Sequence, residues 1–434
     1  MRGSSGIFIG IDFGTSGCRL SGIDVHGAEV LQASQPLPPA ETDGPDADQS
    51  PNLWWDALCA LLADIPPAQR ARIEAIAIDG TSGTVLVADA HGCALTPALM
   101  YFDARALDEA TRIAHLAPAT SGAHGATSSL AKLLWLSQQQ DYPPAARALH
   151  QADWLANRLA GQIGISDENN ALKLGYDPVA RRWPDWLTGT GLDTRLLPEV
   201  LPPGTAIGPV DAAMAHRLGL PAQARVVTGT TDSIAAFLAT GADRIGDAAS
   251  SLGSTLVLKV LSDRPVFDPA AGVYSHRLWD RWLAGGASNT GGAVLEHHFT
   301  RQHLDELTSR MNPERATGLD YYPLVRPGER FPVSDPALAP RLSPRPADDA
   351  LFLQGMLEGI AAIERQGYRL LEALGAPYPA RVFSVGGGAA NTVFTRIRER
   401  LLDTRMATPL HTEAAFGAAL LARRGALAAH ETED

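Results

Sequence analysis

The sequence predicts an α/β fold made of two domains. Three observations carry this prediction: the length of 434 residues, apolar runs of strand length that end in Gly, Ser and Thr turns, and helical patterns between those runs. A chain of this length exceeds one typical hydrophobic core, so two domains are the default expectation. We place their boundary between residues 1–228 and residues 229–434.

Composition excludes several classes of partner. The formal net charge of −12 argues against nucleic acid and against an anionic membrane surface. No stretch approaches the ~18 consecutive apolar residues of a membrane helix. The three cysteines, Cys18, Cys59 and Cys93, contain no CxxC pair, so neither a disulfide framework nor a zinc site is expected. A reducing, cytoplasmic environment fits this composition best.

The first element is a β-hairpin around a Gly-Thr-Ser-Gly turn at residues 14–17. An apolar run at residues 7–11 leads into Asp12, and residues 18–24 alternate as a half-buried strand does. The turn can aim backbone N–H groups and hydroxyls at an anion. A carboxylate beside a phosphate makes sense chiefly when a divalent cation lies between them. An ordinary tight hairpin with an exposed Asp is the alternative.

The next elements continue the α/β pattern. Residues 33–51 are rich in Pro, Asp and Gln and are expected to form an exposed loop, and residues 53–65 have helical spacing. A strand at 73–79 then runs into a small polar turn at 80–84 and a third strand at 85–88. Ligands of open α/β sheets gather at the carboxyl ends of strands, so this turn is a candidate wall of a site. A plain hairpin turn is the alternative.

Two capped amphipathic helices are expected at residues 128–136 and 151–159. Lys132 and Asp153 are expected on their solvated faces. Residues 166–203 show no clear period and are treated as loops and short helices that close the first half.

The second half opens with a strand at 224–228, a polar turn and a helix. Asp232 and Ser233 fall where a helix N-cap belongs, so backbone donors and the positive helix end face whatever lies in front of Asp232. Residues 248–260 form a second hairpin, again with a Gly-Ser-Thr turn. Because each half carries such a hairpin, we expect two related lobes that face one ligand and clamp its phosphates.

Three segments complete the chain: a long helical pattern at 351–374, a Gly-rich strand-to-helix turn at 381–391, and a helix of small residues at 413–422. The Gly-rich turn lets a flat or anionic ligand lie directly on the backbone. It lacks the GxGxxG spacing of dinucleotide folds, and the GxxxxGK[ST] phosphate loop is absent from the sequence. The small residues of the last helix suit close packing against another element.

Taken in order, six of these segments resemble motifs of the FGGY carbohydrate kinases. The six motifs are DFGTSG at 12–17, GTTDS at 229–233, SLGST at 251–255, GGASNTGG at 285–292, SVGGGAAN at 384–391 and EAAFGAAL at 413–420. The resemblance covers nearly the whole chain. It implies the two-lobed actin, hexokinase and Hsp70 ATPase fold, with ribonuclease H-like domains around a central nucleotide cleft.

Further segments resemble the shorter family members described as D-ribulose kinases or xylulose-kinase-like. They are IDGTSGTVL at 78–86, SSLAKLLW at 128–135, QADWL at 151–155, NALKLGYD at 170–177 and GTTDSIAAFLA at 229–239. The implied reaction is phosphorylation of a ketopentose by ATP with Mg²⁺, D-ribulose to D-ribulose 5-phosphate in the first instance. Such a kinase catalyses mainly by in-line positioning and charge neutralisation.

The resemblance also implies roles for individual residues. Asp232 matches the catalytic base, and Asp12 matches the residue that supports Mg²⁺, often through water. The residues implied to bind the ATP phosphates are Gly14, Thr15, Ser16, Gly253, Ser254 and Thr255. Those implied to bind adenosine are Gly386, Gly387 and Asn391. Those expected to contact the sugar are Asp12, Ser82, Asp232 and Ser233. Sugar would bind the domain at 1–228 and ATP the domain at 229–434.

Several alternatives remain open. Many xylulose kinases carry a Met-His pair where this chain has Gly80-Thr81-Ser82, which favours ribulose over xylulose, but a xylulose, other pentulose or polyol kinase is the nearest alternative. An ATPase or sugar sensor of the same fold is the alternative from a different class. A pseudokinase is disfavoured by the presence of both Asp12 and Asp232. The chain is expected to be a monomer or a homodimer.

Overall fold

The computed structural model describes residues 6–140, 142 and 144–433. The chain divides into two compact units, one formed by Met1–Ala239 with Glu413–Asp434 and the other by Thr240–Thr412. This division differs from the boundary predicted at residue 228. The segment 229–239 and the C-terminal helix belong to the first unit, because they pack on its central sheet.

The strands in the described part of the chain are β1 (Ile7–Phe13), β2 (Gly17–Ile23), β3 (Glu29–Pro36), β4 (Glu41–Asp43), β5 (Asp46–Gln49), β6 (Ile73–Gly80), β7 (Val85–Ala88), β8 (Ala98–Leu99), β9 (Arg147–His150), β10 (Ile165–Asp167), β11 (Glu199–Leu201), β12 (Ala206–Pro209), β13 (Arg225–Val227), β14 (Asp247–Leu252), β15 (Leu256–Ser262), β16 (Tyr274–Leu278), β17 (Arg281–Ser288), β18 (Arg381–Val385) and β19 (Arg405–Ala407).

The α-helices in the described part are α1 (Pro51–Asp64), α2 (Pro67–Arg70), α3 (Leu107–Leu116), α4 (Ser129–Ser137), α5 (Gln151–Ala160), α6 (Ala212–Leu218), α7 (Asp232–Ala239), α8 (Gly292–His298), α9 (Arg301–Thr308), α10 (Asp349–Ala373), α11 (Thr392–Leu402) and α12 (Ala414–Glu433).

The first unit is built on a six-stranded sheet with the order β12-β13-β6-β1-β2-β3. Strands β13, β6 and β1 are parallel neighbours, and β2 returns antiparallel to β1. Every residue of β1 is buried. This agrees with its near-continuous apolar sequence, which is typical of a strand covered on both faces. The parallel strands bring their carboxyl ends to one edge of the sheet.

Helix α12 packs against β1 and α7 at backbone distance. A Cβ atom on Gly10 of β1 would lie 2.0 Å from the carbonyl oxygen of Ala415, and one on Gly417 would lie 1.9 Å from that of Ala235. Both glycines are therefore required by the close approach of main chains. The close packing predicted for this small-residue helix is confirmed.

The loop predicted over residues 33–51 is wrong in part. Strand β3 extends to Pro36, and β4 and β5 form an antiparallel pair that continues into a five-stranded sheet with the order β4-β5-β8-β7-β9. Strand β3 lies at the edge of its sheet and alternates between half-buried and exposed residues. An edge strand exposed in this way needs few apolar residues, so its sequence carries little strand signal.

Two side chains predicted to be solvated are buried instead. Lys132 is 0% exposed, and its Nζ donates to the carbonyl oxygens of Gly83 (2.6 Å) and Met100 (2.8 Å). Asp153 is 6% exposed and accepts a hydrogen bond from Ser166 Oγ at 2.6 Å. Helices α4 and α5 are covered on more than one face, which an amphipathic pattern alone does not reveal.

The second unit has its own six-stranded sheet with the order β16-β17-β15-β14-β18-β19. Strand β14 pairs antiparallel with β15 through the predicted hairpin and parallel with β18. The long helix α10 and the helix α11 cover this sheet, and their apolar residues form one core with β14, β15 and β18. The turns after β14 and β18 thus leave the same end of the sheet.

Candidate active site

The carboxyl ends of three neighbouring strands in the first unit carry three aspartates. Asp12 on β1 and Asp79 on β6 are directly paired in parallel register, and adjacent strands lie about 4.8 Å apart. Gly80 forms a bridge to Thr231, and Asp232 follows as the first residue of α7. The structure therefore brings together Asp12 and Asp232, two residues predicted for the site, and places Asp79 between their strands.

Asp79 is a site residue that the sequence analysis did not single out. Its side chain is 0% exposed, and among the described residues its carboxyl oxygens have no hydrogen-bond partner other than the adjacent carboxyl group of Asp12. Burial, followed by the charges of Asp12 and Asp232, holds the pKa of Asp79 well above its usual range. Burial also raises the pKa of Asp12. Two adjacent carboxyl groups in such a place favour sharing one proton over carrying two charges.

Lys173 joins the predicted sugar-facing residues. Its Nζ donates to the carbonyl oxygen of Ser82 at 2.9 Å. Burial lowers the pKa of Lys173, and the nearby carboxylate of Asp232 raises it. The ammonium group thus lies by both the turn that carries Ser82 and the residue predicted as base. Lys173 lies within the NALKLGYD segment at 170–177. No pattern in that segment indicates that it contacts the turn at Ser82, about ninety residues earlier in the chain.

Hydrogen bonds to buried side chains fix the turn at residues 80–84. Thr81 donates to Gln151 Oε1 through its backbone N (3.1 Å) and its Oγ1 (2.9 Å), and its Oγ1 is also 2.6 Å from Thr84 Oγ1. Lys132 holds the carbonyl of Gly83. The turn is therefore a rigid support for Ser82, which is half-buried.

The hairpin turn between β1 and β2 begins two residues after Asp12 and carries two hydroxyl side chains. The backbone N of Gly14 donates to the carbonyl of Gly17 at 3.0 Å and closes the turn. Thr15 is half-buried and Ser16 is exposed. Its hydroxyl groups and its remaining backbone N–H groups are the donors that the phosphate prediction requires. Ser233 belongs to the same edge of the sheet, and its backbone N donates to Asp232 Oδ1 at 2.6 Å.

The corresponding hairpin of the second unit is fixed by a helix terminus. The backbone N atoms of Gly292 and Ala293, at the start of α8, donate to the carbonyls of Gly253 (2.8 Å) and Ser254 (3.2 Å). Ser254 itself is exposed at the tip, and Thr255 is half-buried. The turn is thus rigid and keeps its hydroxyls at the surface.

A cavity of about 570 Å³ lies beside this hairpin. Its lining residues are Leu252, Gly253, Ser254, Gly292, Leu295, Glu296, Arg301, Leu304, Asp305, Thr308, Leu353, Leu357, Gly387, Gly388, Ala390, Asn391 and Thr392. Four residues predicted for ATP, Gly253, Ser254, Gly387 and Asn391, therefore line one cavity. Such a volume suits a nucleotide-sized ligand.

The remaining ATP residues predicted for this unit, Thr255 and Gly386, are not part of the cavity wall. Gly386 instead supports it: with φ at +84°, it packs against the backbone of Leu252. Asn391 caps α11 by accepting from Phe394 N at 2.9 Å, and its Nδ2 is 3.4 Å from Thr308 Oγ1. The helix terminus and α9 thus meet at the cavity.

Two family models match almost the whole chain. The N-terminal domain model of the FGGY family of carbohydrate kinases matches residues 7–239, and the C-terminal domain model matches residues 248–426. The chain belongs to the FGGY family. It is thus a carbohydrate kinase, and the predicted enzyme class is confirmed.

Individual FGGY relatives agree with this assignment. A xylulose kinase of Streptomyces rubiginosus is 28% identical over 95% of this chain and 86% of its own length. A crystal structure described as a xyloylose kinase from Brucella ovis has a TM-score of 0.89 at 24% identity and covers 97% of this chain and 91% of that chain. Plasmodium falciparum glycerol kinase with ADP has a TM-score of 0.83 at 18% identity, with coverages of 97% and 90%.

These structural likenesses confirm the predicted α/β class and the actin and hexokinase type of fold. Among the described residues, no helix is long and apolar enough to span a membrane. Nor does the described part of the chain hold a cluster of three or more His, Cys, Asp or Glu side chains able to bind a metal ion unaided.

Proposed function

We propose that this FGGY kinase transfers the γ-phosphate of ATP to a ketopentose, D-ribulose in the first instance, with Asp232 as general base. The observation that carries the proposal is the grouping of Asp12, Asp79, Asp232 and Lys173 around the turn that bears Ser82. A sugar-facing carboxylate supported by a cation suits a kinase, whereas an ATPase without a sugar acceptor has no use for it.

The sugar would be bound by Asp12, Ser82, Asp232 and Ser233, with Lys173 as a further contact. A ketopentose offers little apolar surface, so its hydroxyl groups must be recognised by polar side chains. The charge of Asp232 raises the pKa of Lys173, so the ammonium group of Lys173 lies close enough to hold the carboxylate of Asp232 in place. The Asp232 carboxylate would accept the proton of the terminal sugar hydroxyl while that oxygen bonds to the γ-phosphorus and the bond to the β–γ bridging oxygen breaks.

The phosphates would be held by the two Gly-hydroxyl hairpins, at Gly14, Thr15 and Ser16 and at Gly253–Thr255. The paired carboxyl groups of Asp12 and Asp79 fit Mg²⁺, because this ion is bound by one or two carboxylates, several waters and substrate phosphates. Asp12 is the more exposed of the two, so Asp12 would face the ion and would bind it through water. The bound ion would neutralise charge on the phosphates. Adenosine would occupy the 570 Å³ cavity by Gly387 and Asn391, with Gly386 behind it.

D-xylulose is the second candidate substrate, because relatives of this chain are named xylulose kinases. The turn residues Gly80, Thr81 and Ser82 support D-ribulose first, since many xylulose kinases carry a Met-His pair there. An ATPase or sugar sensor of the same fold is the candidate from another class. We further propose a cytoplasmic enzyme that is monomeric or homodimeric and has sugar on the N-terminal and ATP on the C-terminal domain.

The test is a coupled assay of ADP release with Mg-ATP and single sugars: D-ribulose, L-ribulose, D-xylulose, glycerol, L-fuculose and ribitol. We expect the highest kcat/KM with D-ribulose. Asp232→Asn should lower kcat by about 10²- to 10⁴-fold, the usual contribution of a general base. Direct binding of ADP should stay unchanged in that variant.

The outcomes separate the candidates. A preference for D-xylulose would assign the second substrate and leave the kinase chemistry intact. Slow ADP release at one rate with every sugar would favour the ATPase or sensor. Turnover within a few-fold of the parent in Asp232→Asn would remove Asp232 as the base. Asp56→Asn, on helix α1 at an exposed position, serves as the matched control and should leave kcat unchanged.

A further inference from the structure

The second unit contains an ion pair that is fully withdrawn from solvent. Glu364 on α10 and Arg398 on α11 are both 0% exposed. Two hydrogen bonds of 2.7 Å join the guanidinium to the carboxylate, from Nε to Oε2 and from Nη2 to Oε1. Burying two charges is costly, and a well-packed apolar pair is often as stable. None of the chemistry proposed above uses these two residues.

The ion pair is bonded to two adjacent strands. Ser250 Oγ on β14 donates to Glu364 Oε1 at 2.5 Å, and Arg398 Nη1 donates to Ser384 Oγ on β18 at 2.5 Å. Ser250 and Ser384 are direct partners in the parallel β14–β18 register. Tyr368 adds a contact of 2.8 Å between its hydroxyl and Ser250 Oγ. Four elements are thus tied together at one point.

The loops after β14 and β18, together with helices α10 and α11, line one part of the cavity, and α8 and α9 line the rest. The cavity residue Gly253 directly follows β14, and Gly387 comes shortly after β18. Thr392 is the first residue of α11, and Leu357 on α10 lies two turns before Glu364 on the same helix face. A shift of any one element relative to the others would therefore change the shape of the cavity.

The loop after β18 packs closely against the end of β14. A Cβ on Gly386 would lie 3.0 Å from the carbonyl carbon of Leu252, and one on Gly388 would lie 2.9 Å from Leu252 Cβ. The loop after β18 thus rests directly on the last residue of β14. The relative position of the two loops depends on how these strands lie side by side, and the ion pair joins them at Ser250 and Ser384.

We propose that Glu364 and Arg398 are positioning residues for the nucleotide, holding the phosphate hairpin and the adenosine loop at the separation that ATP requires. The inference rests on the nucleotide site of the proposed function. It gives a role to a buried ion pair whose desolvation is costly. Its consequence is that nucleotide affinity and stability should respond differently when the pair is replaced.

The test is calorimetric titration of the full chain with ADP, combined with thermal unfolding. The main variant is Glu364→Leu with Arg398→Met, which removes both charges and leaves no unpaired one. We expect this variant to stay folded but to bind ADP at least about tenfold more weakly, since misplacement by about 1 Å can cost about 100-fold. In turnover assays KM for ATP should rise by the same factor, with KM for sugar unchanged.

The matched control acts on the other end of the same strand pair. Asp247 and Arg381 are register partners at the start of β14 and β18 and are joined by a 2.6 Å bond from Arg381 Nε to Asp247 Oδ1. Asp247→Asn with Arg381→Met should change ADP affinity by no more than about twofold, the usual limit of coupling between distant sites. Equal losses in both double variants would overturn the proposal, because the pair would then act only through general stability.

A second variant covers the case in which the main variant fails to fold. Ser250→Ala with Ser384→Ala keeps the ion pair but detaches it from both strands, and we expect ADP affinity to fall several-fold. Unchanged ADP affinity in every folded variant would overturn the proposal while the kinase assignment stands. Absence of ADP binding by the unaltered chain would overturn the proposed nucleotide site and this inference together.

Discussion

Replacing Lys132 by Met would remove an amine that is 0% exposed. In the folded chain its Nζ donates to two carbonyl oxygens, those of Gly83 and Met100. Burial, and after it the charge of Lys173, lowers the pKa of Lys132 from 10.5 to about 7, against the opposing charge of Asp103. The folded chain therefore binds this proton far less tightly than the unfolded chain does.

The size of the effect follows from these two pKa values. Below pH 7 both states hold the proton, and the folded state bears the whole cost of a buried charge. Between pH 7 and pH 10.5 the folded state releases the proton first, so the cost shrinks and stability rises with pH. The difference of about 3.5 pKa units corresponds to about 5 kcal/mol of unfolding free energy.

The two hydrogen bonds act in the opposite direction. Each bond from a charged donor is worth about 1.5–3 kcal/mol, and Met would leave the carbonyls of Gly83 and Met100 without this partner. The pH dependence is therefore a sharper measure of Lys132 than the stability at any single pH.

The assay is urea unfolding of the parent chain and of Lys132→Met between pH 7 and pH 10. Groups that titrate in both chains cancel in the difference. We expect the difference in unfolding free energy to move in favour of the parent by up to about 1.4 kcal/mol per pH unit. A difference that stays constant over this range would mean that Lys132 keeps its ordinary pKa, and would refute the reasoning.

Three further outcomes are expected. Lys173→Met should raise KM for the sugar by about tenfold or more, because the proposed charged hydrogen bond from its ammonium group to a sugar oxygen would be worth about 1.5–3 kcal/mol; an unchanged KM in the sugar assay would exclude Lys173 from the site. Asp79→Asn should be more stable than the parent chain above pH 5 but not at pH 3. Above pH 5 the unfolded parent gains stability by ionising Asp79, whereas burial keeps Asp79 protonated in the fold. Urea midpoints, measured without nucleotide or Mg²⁺, that show no pH-dependent gain for the variant would contradict this. Gly417→Ala should destabilise the chain by about 2 kcal/mol or more through a backbone clash, whereas Gly189→Ala, which meets only ordinary contacts at 3.7 Å, should leave the melting temperature unchanged.

Strands, turns and helix caps that depend only on residues close together in the sequence were predictable. The apolar run of β1, the turn after it and the capped start of α4 each depend on neighbouring residues, so periodicity and turn chemistry were enough to place them. The same holds for Asp12 and Asp232, which stand where a strand ends or a helix begins. Motif order along the chain then identified the family.

Features that depend on residues far apart in sequence were not predictable. Asp79 becomes a site residue because β6 lies beside β1, which places it next to Asp12. Lys173 becomes one because the 3₁₀ helix Ala171–Leu174 brings its ammonium group to the turn after β6. Lys132 was expected in solvent, because its helix shows an apolar face but not how many neighbours cover it. Each of these depends on strand order and packing, for which a single sequence offers no local signal.

Local patterns along the chain were thus sufficient for the α/β class and the two Gly-hydroxyl hairpins, and the resemblance of its motifs was sufficient for the family. Long-range packing settled which carboxyl groups are neighbours, which lysines are buried and how Glu364 and Arg398 join two strands to two helices. The reason is physical. Turns and caps form from interactions within a few residues, whereas pKa values and buried ion pairs depend on charges and desolvation contributed by distant parts of the chain.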